Sequence, residues 1–228
     1  KGAIEALKKA LEEKEEVNVI FAAAPSQSEF LATLTGNKDI DWERVNALHL
    51  DEYIGLEKEA DQLFVRFLTD NVFSKANFKN VFTMDFSEGD VKEEISRYSD
   101  LIEKYPIDIA FIGIGENGHI AFNDPPVADF EDKKLVKEVQ LDNKCRQQQV
   151  NDKCFEKIDD VPLTAATVTI PAIMRAKNIF CMVPAITKAE AVDQTINGEI
   201  TTACPASILR RHPNTTLYLD RDSASKIL

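Results

Sequence analysis

Three segments of the chain place polar side chains directly after short apolar runs. They are 22–28 (AAAPSQS), 48–56 (LHLDEYIGL) and 113–126 (GIGENGHIAFNDPP). In open α/β sheets, ligands bind beyond the carboxyl ends of the strands. These segments are therefore where we expect the chemistry of the protein.

The segment 113–126 carries the strongest signal. Three glycines between 113 and 118 let the backbone turn sharply and approach a ligand closely. His119 follows directly, and Asp124 lies near enough in a folded-back loop to orient the imidazole, which would give a proton-transfer unit. A buried structural histidine is the alternative. A dinucleotide-binding loop is disfavoured, because the proline pair at 125–126 prevents a long helix from starting here.

Two adjacent carboxylates, Asp51 and Glu52, follow the second apolar run. In extended backbone their side chains point to opposite sides, so one of them is expected to enter the cleft. A carboxylate half-withdrawn from water can have a raised pKa and act as a general base. The alternative is an exposed turn that caps whatever follows.

The segment 22–28 runs from an apolar stretch into a predicted helix. Small residues before a helix leave backbone N–H groups free at a positive dipole end, which suits a phosphate. Ser26 or Ser28 could instead simply cap the helix. The segment contains no glycine, so on its own it favours the capping interpretation.

Apolar runs and helical patterns alternate along the chain. Helices are expected from about Gln27, from Asp61 through Leu68, from Asp90 through Tyr105, and over 188–196, closed by Gly198. Asp61 and Asp90 are the candidate N-caps of the second and third of these helices. Strands are expected at 17–22, 45–50, 107–112, 167–170, 179–183 and 215–219. The alternation predicts an α/β fold: a three-layer sandwich with a mainly parallel central sheet, modified Rossmann-like, in a single domain over 1–228.

The composition limits the partners of the protein. Its 228 residues are 44% hydrophobic and 29% charged, an ordinary globular mixture. The 27 Lys and Arg against 39 Asp and Glu give a net charge of −12, which argues against nucleic acid and against an anionic membrane surface. No apolar run approaches the length of a membrane span. An anionic ligand would therefore need a local cluster of positive groups.

The four cysteines form no C-x-x-C pair and show no metal-type spacing with the three histidines. We therefore expect reduced thiols, a cytoplasmic protein and no metal site.

The segments LDEYIGL and GIGENGHIAFNDP, at this spacing, resemble the glucosamine-6-phosphate deaminase (isomerase) family. The resemblance continues through 151–162 (NDKCFEKIDDVP), 164–174 (TAATVTIPAIM), 187–192 (TKAEAV) and 204–209 (CPASIL), and so covers nearly the whole chain from Val17. The related 6-phosphogluconolactonases carry G-H-T-A-S-L-F-P at the histidine motif. The sequence HIAFN at 119–123 departs from that pattern and favours the deaminase branch.

The resemblance implies aldose–ketose isomerisation with hydrolytic deamination of a phosphorylated amino sugar: glucosamine 6-phosphate to fructose 6-phosphate and ammonia, with no cofactor. By analogy with the family, Asp51 would move the C2 proton to C1. His119, assisted by Asn117 and Asp124, would open the sugar ring. The substrate would be bound by the following residues, the phosphate by Lys188 and by Lys153 or Arg146 as a second cation: Pro25, Ser26, Gln27, Arg146, Lys153 and Lys188.

The chain departs from the family pattern at several positions. Asp124 stands where the family has Glu, and AAPSQ at 23–27 replaces T-G-[SG]-[TS]-P. Three alternatives follow: another sugar-phosphate isomerase, a lactonase-like hydrolase, or a non-catalytic sugar-phosphate sensor. The presence of both Asp51 and His119 argues against the sensor. The sequence leaves a homo-oligomer open.

Overall fold

The computed structural model describes all 228 residues. Helices α1 to α7 are Gly2–Glu13, Ser28–Thr35, Phe64–Leu68, Val91–Lys104, Asn143–Asn151, Ile170–Ile173 and Ala189–Asn197. Strands β1 to β9 are Val17–Phe21, Val45–His49, Asp51–Tyr53, Asn80–Phe82, Ile109–Ile112, Val136–Gln140, Thr164–Val168, Asn178–Val183 and Thr215–Leu219. None of the helices combines the length and the apolar character needed to cross a membrane.

Six strands form the central sheet, in the order β4-β2-β1-β5-β8-β9. Every neighbouring pair is parallel, which confirms the predicted parallel sheet. The chain leaves β1 towards β2 on one side, and β5 pairs with β1 on the other side. A crevice opens at such a switch point beyond the carboxyl ends of the strands.

The central strands are covered on both faces. Successive side chains of a strand point to opposite sides. Val19 and Phe21 of β1 accordingly pack in one apolar cluster with Leu7 of α1. Ile20, between them, packs in a second cluster with Tyr98 of α4. The predicted three-layer arrangement is therefore confirmed.

A second, antiparallel sheet in the order β3-β7-β6 was not expected. The predicted strand 167–170 is wrong at its end, because β7 stops at Val168 and Ile170 begins α6. Thr169 caps this helix, its Oγ1 accepting from the N–H of Ala172 at 3.4 Å. Pro171 favours the helix start, since its missing N–H would have no intrahelical partner there.

The predicted capping of α3 by Asp61 is wrong. Asp61 is exposed and lies 3.5 Å from the guanidinium of Arg66. The cap is instead the buried carboxylate of Glu52, which accepts from the N–H of Phe64 at 3.0 Å and of Val65 at 2.8 Å. Two free donors at the helix start are thus satisfied by a residue distant in sequence.

Other predicted helix boundaries agree better with the structure. Asp90 caps α4, accepting from the N–H of Lys92 at 2.6 Å. Helix α7 ends at Asn197, with Gly198 as its C-cap. Neither Ser26 nor Ser28 caps α2 with its side chain, because a 3₁₀ turn over Pro25–Gln27 leads into that helix.

His49 anchors the carboxyl end of β2, two residues before the candidate base Asp51. Its Nε2 accepts from the N–H of Met84 at 2.8 Å, and its carbonyl accepts from the hydroxyl of Tyr98 at 2.8 Å. The side chain is fully buried. Burial, with a smaller contribution from Arg97, lowers the pKa of His49 to about 3. The imidazole is therefore neutral in the folded protein near neutral pH.

We predict that His49 makes folding weaker in mild acid. The unfolded chain binds a proton at this residue below about pH 6.5, whereas the folded chain does not until about pH 3. The contribution of His49 to the free energy of unfolding should therefore fall as the pH falls below 6.5, by about 2 kcal/mol at pH ~5, whereas buried Glu52, whose pKa is raised to about 7, acts in the opposite direction over the same range. Urea titrations should show this loss as a fall in the difference between the free energies of unfolding of the parent and His49→Gln proteins. Parallel pH profiles of the two proteins would contradict the assignment.

Candidate active site

One cavity at the carboxyl ends of β1, β2, β5 and β8 collects polar residues from separate segments of the chain. Six of the predicted site residues line it: Pro25, Ser26, Gln27, Asp51, His119 and Lys188. The three strand-end segments and Lys188 thus converge on one cleft, as the fold predicts.

Asp51 and Glu52 point to opposite sides, as the extended backbone predicts. Asp51 is the first residue of β3 and lines the cavity, whereas Glu52 reaches the start of α3. Burial, and next the charge of Glu52, raise the pKa of Asp51 well above its usual value. The backbone N–H of Phe122 acts in the opposite direction. A carboxylate with a raised pKa is a stronger base once it is ionised.

His119 is oriented from behind by a buried carboxylate. Its Nδ1 lies 2.9 Å from Oδ1 of Asp124, which has no exposed surface. The same Oδ1 accepts from the amide of Asn117 at 2.9 Å, and Oδ2 accepts from the N–H of Asp142 at 3.1 Å. Asn117 and Asp124 thus lie behind the imidazole rather than on the cavity wall, and they leave its Nε2 for a ligand.

The Asp124 carboxylate is stabilised as an anion. Burial acts to raise its pKa, but the neighbouring imidazole of His119 and the hydrogen bonds from His119, Asn117 and Asp142 outweigh burial and lower the pKa. A charged Asp124 favours a proton on Nδ1 of His119. This arrangement favours the tautomer in which Nε2 can accept a proton.

Two glycines of the loop are required by this packing. A Cβ on Gly115 would lie 2.1 Å from Cε1 of His119, so the imidazole rests directly on the glycine backbone. Gly118 has a φ of +82°, and a Cβ there would lie 2.8 Å from Sγ of Cys204. The glycines therefore make room for His119 and for the packing of the loop against Cys204. This role differs from that of glycines in a dinucleotide-binding loop, which the sequence already disfavours.

Lys188 contributes the cation of the cavity wall. It ends the 3₁₀ turn Ile186–Lys188, at the start of α7, and is 6% exposed. Burial lowers the pKa of Lys188, and the charges of Asp152 and Glu116 partly oppose this effect. A positive group with little water around it interacts strongly with an anionic ligand.

The loop over Pro25–Gln27 lines the same cavity as Lys188. Ser26 is exposed there, whereas Gln27 is buried. The amide of Gln27 donates to the carbonyl of Met182 at 3.0 Å and so ties the loop to the end of β8. The same amide also donates to Oγ of Ser26 at 3.4 Å. Ser26 is thus an exposed residue of the cavity wall, while Gln27 holds the loop in place.

The two candidates for a second cation lie outside this cavity. The guanidinium of Arg146 donates to the carbonyls of Ile158 at 2.6 Å and Val161 at 3.0 Å, so it braces the following loop. Lys153 lines a neighbouring cavity with Cys154, and the stretch from Ala23 to Pro25 borders both cavities. Arg146 and Lys153 thus do not join Lys188.

Sequence reasoning missed the contribution of α5. Gln148, Gln149 and Asp152 line the cavity from this helix and its C-cap. Gln148 accepts from the N–H of Glu116 at 2.8 Å and donates to Asp152 at 3.3 Å. The spacing of these residues is that of one helix face, but the low apolar content of 143–151 hides the helix from a periodicity analysis.

The sequence and the fold both match known proteins. Residues 1–218 match the family described as glucosamine-6-phosphate isomerases/6-phosphogluconolactonase. A glucosamine-6-phosphate deaminase of Listeria innocua is 36% identical over 225 residues, covering 99% of this chain and 94% of the relative. One of Bacillus cereus is 35% identical over 212 residues, covering 93% of this chain and 79% of the relative.

Solved structures agree with the sequence matches. A monomeric glucosamine-6-phosphate deaminase superposes with a TM-score of 0.86 at 27% identity, covering 98% of this chain and 94% of that chain. A 6-phosphogluconolactonase of Thermotoga maritima superposes with a TM-score of 0.75 at 19% identity, covering 96% of this chain and 95% of that chain, and indicates the shared fold alone. The chain therefore belongs to the glucosamine-6-phosphate isomerase/6-phosphogluconolactonase family.

Proposed function

We propose that this protein converts glucosamine 6-phosphate and water into fructose 6-phosphate and ammonia. The observation that carries the proposal is one cavity holding Asp51, the oriented imidazole of His119 and the buried cation of Lys188. Relatives at 35–36% identity over nearly the whole chain are glucosamine-6-phosphate deaminases. The same three groups match the three tasks of this reaction.

Ring opening is the task of His119. The cyclic sugar opens when the proton of its C1 hydroxyl leaves and the ring oxygen gains one. An imidazole held by Asp124 can accept the first proton at Nε2 and return it to the ring oxygen. Asn117 supports this role indirectly, since it accepts from the N–H of His119 at 3.1 Å and donates to Asp124.

Isomerisation is the task of Asp51. In the open chain the C2 hydrogen is acidic because it lies beside the C1 aldehyde. Asp51 takes this proton, the electron pair forms an enolamine, and the proton is returned at C1. The resulting C2 imine then adds water and expels ammonia, leaving the ketose. The raised pKa of Asp51 suits a group that must both accept and return a proton.

Substrate positioning is the task of Lys188 and the loop at 25–27. A phosphate bound by the buried ammonium and by the N–H of Ser26, the one N–H of the 3₁₀ turn without a backbone acceptor, would hold the sugar by its far end. Binding energy from a remote group orients the reacting carbon atoms against Asp51 and His119.

An ammonia-release assay on the purified protein tests the proposed function directly. We expect stoichiometric ammonia and fructose 6-phosphate from glucosamine 6-phosphate, without added cofactor. Isomerisation of a sugar phosphate without ammonia, or hydrolysis of 6-phosphogluconolactone in place of deamination, would contradict the proposal in favour of another enzyme. Binding of glucosamine 6-phosphate without turnover would contradict it in favour of a sensor.

We predict that Asp51→Asn lowers kcat by ~10²–10⁴-fold, the usual contribution of a general base, while substrate binding is retained. Asparagine keeps the shape of the side chain but cannot accept the C2 proton. The measurements are ammonia release and exchange of the C2 hydrogen with solvent deuterium. Asp152→Asn is the matched control, because it removes another carboxylate of the cavity. Full C2 exchange in Asp51→Asn would refute this mechanism.

We predict that Lys188→Ala raises KM for the phosphorylated sugar by ~10–100-fold, with a much smaller effect on kcat. A hydrogen bond to a charged group contributes about 1.5–3 kcal/mol, and a remote contact of this kind stabilises substrate and transition state alike. Lys153→Ala is the matched control, because Lys153 lines the neighbouring cavity. An unchanged KM in Lys188→Ala, or an equal rise in Lys153→Ala, would contradict the assignment of the phosphate site.

A further inference from the structure

Cys145 lies against the catalytic pair but has no role in the proposed reaction. Its Sγ, a ring nitrogen of His119 and a carboxylate oxygen of Asp124 all lie within 4.8 Å of one another. The three residues are 1%, 9% and 0% exposed, respectively. Their positions in the sequence do not have the spacing of a metal motif, so only the fold brings them together.

The three donor atoms form a set that suits a particular class of cation. Zn²⁺ and similar thiophilic ions bind sulfur, imidazole nitrogen and carboxylate oxygen at about 2.0–2.3 Å. Ligand atoms of a tetrahedral site are then ~3.3–3.8 Å apart, so small side-chain rotations would bring the trio to that geometry. Mg²⁺ and Ca²⁺ prefer oxygen ligands only and fit this set poorly.

The surroundings favour a positive ion and give it an entry path. Asp142 lies close to the trio, since its N–H donates to Asp124 at 3.1 Å, and Asp51 lines the same cavity as His119. His119 is the member of the trio that lines the open cavity, so an ion would reach the site along its imidazole.

The other cysteines have different surroundings. Sγ of Cys204 lies 3.7 Å from Oγ1 of Thr195, and Cys181 is buried in an apolar cluster. Cys154 is half-buried and borders the neighbouring cavity. Only Cys145 belongs to a cluster of three possible ligands within this distance.

We propose that His119, Asp124 and Cys145 form an inhibitory site for one thiophilic divalent cation such as Zn²⁺. The ion binds the nitrogen lone pair of His119 and a carboxylate oxygen of Asp124. Asp124 then no longer orients the imidazole for proton transfer. An ion at this place therefore competes with ring opening. The inhibition rests on the proposed function, whereas the binding of the ion does not.

The experiment measures binding and inhibition separately on the full chain. Equilibrium dialysis with Zn²⁺ should give one ion per chain, and Co²⁺ should give a thiolate-to-cobalt charge-transfer absorption. Loss of even an outer-shell partner costs a metal site ~10–100-fold in affinity, so Cys145→Ser and Cys145→Ala should each weaken binding by at least ~10-fold. Both variants should retain metal-free turnover and resist Zn²⁺. Cys154→Ser, the matched control, should behave like the parent.

The outcomes separate the two proposals. Absence of a bound ion in the parent, equal affinity in the parent and both Cys145 variants, or Zn²⁺ inhibition unchanged in those variants would each overturn the metal site. Cys145-dependent binding in a protein that releases no ammonia would support the metal site and refute the proposed function. Thermal melting of the two variants identifies any loss of binding that comes from unfolding, and the variant that keeps its fold decides the question.

Discussion

Asp124 has no exposed surface, and its two oxygens face His119, Asn117 and the backbone of Asp142. A buried carboxylate with these partners is stable, whereas one left unpaired would cost several kcal/mol. Because Asp142 caps α5, the same carboxylate joins the glycine-rich loop to a helix that also lines the cavity. The orientation of the imidazole and the position of α5 therefore depend on one buried charge.

The second constraint is the separation of Asp51 from Glu52. Strand β3 pairs with β7, and the extended backbone turns the two carboxylates to opposite sides. Glu52 is held by three N–H groups, from Tyr53, Phe64 and Val65, and burial nevertheless raises its pKa to about 7. Anchoring Glu52 fixes the backbone that presents Asp51, and it also places Phe64 of α3 on the cavity wall.

Much of the fold was predictable because it follows from local patterns. The parallel strands are short apolar runs, and the rule that ligands bind at strand ends leads from them to Asp51 and His119, whereas the phosphate-binding role of Lys188 was expected from the family resemblance. The features that could not be predicted from the sequence depend on contacts between residues far apart in the chain. The cap of α3 is Glu52, twelve residues before Phe64, whereas local spacing favoured Asp61. Strand β6 and helix α5 have few apolar residues of their own and are defined by the elements they pair with or contact.

The identity of the cation in the cavity shows the same limit of prediction from local sequence. Resemblance to the family indicated Lys153 or Arg146 as a second cation, yet one guanidinium nitrogen of Arg146, Nη2, donates to the carbonyls of both Ile158 and Val161. A buried guanidinium that lost these acceptors would destabilise the fold, so the two contacts hold Arg146 outside the cavity that Lys188 lines. Lys188 is thus the cation that lines this cavity in a chain of net charge −12. Its burial would make the attraction to a bound anion strong, because a low dielectric reduces the screening between them. The acidic surface acts through solvent, where salt screens its charge within about a nanometre.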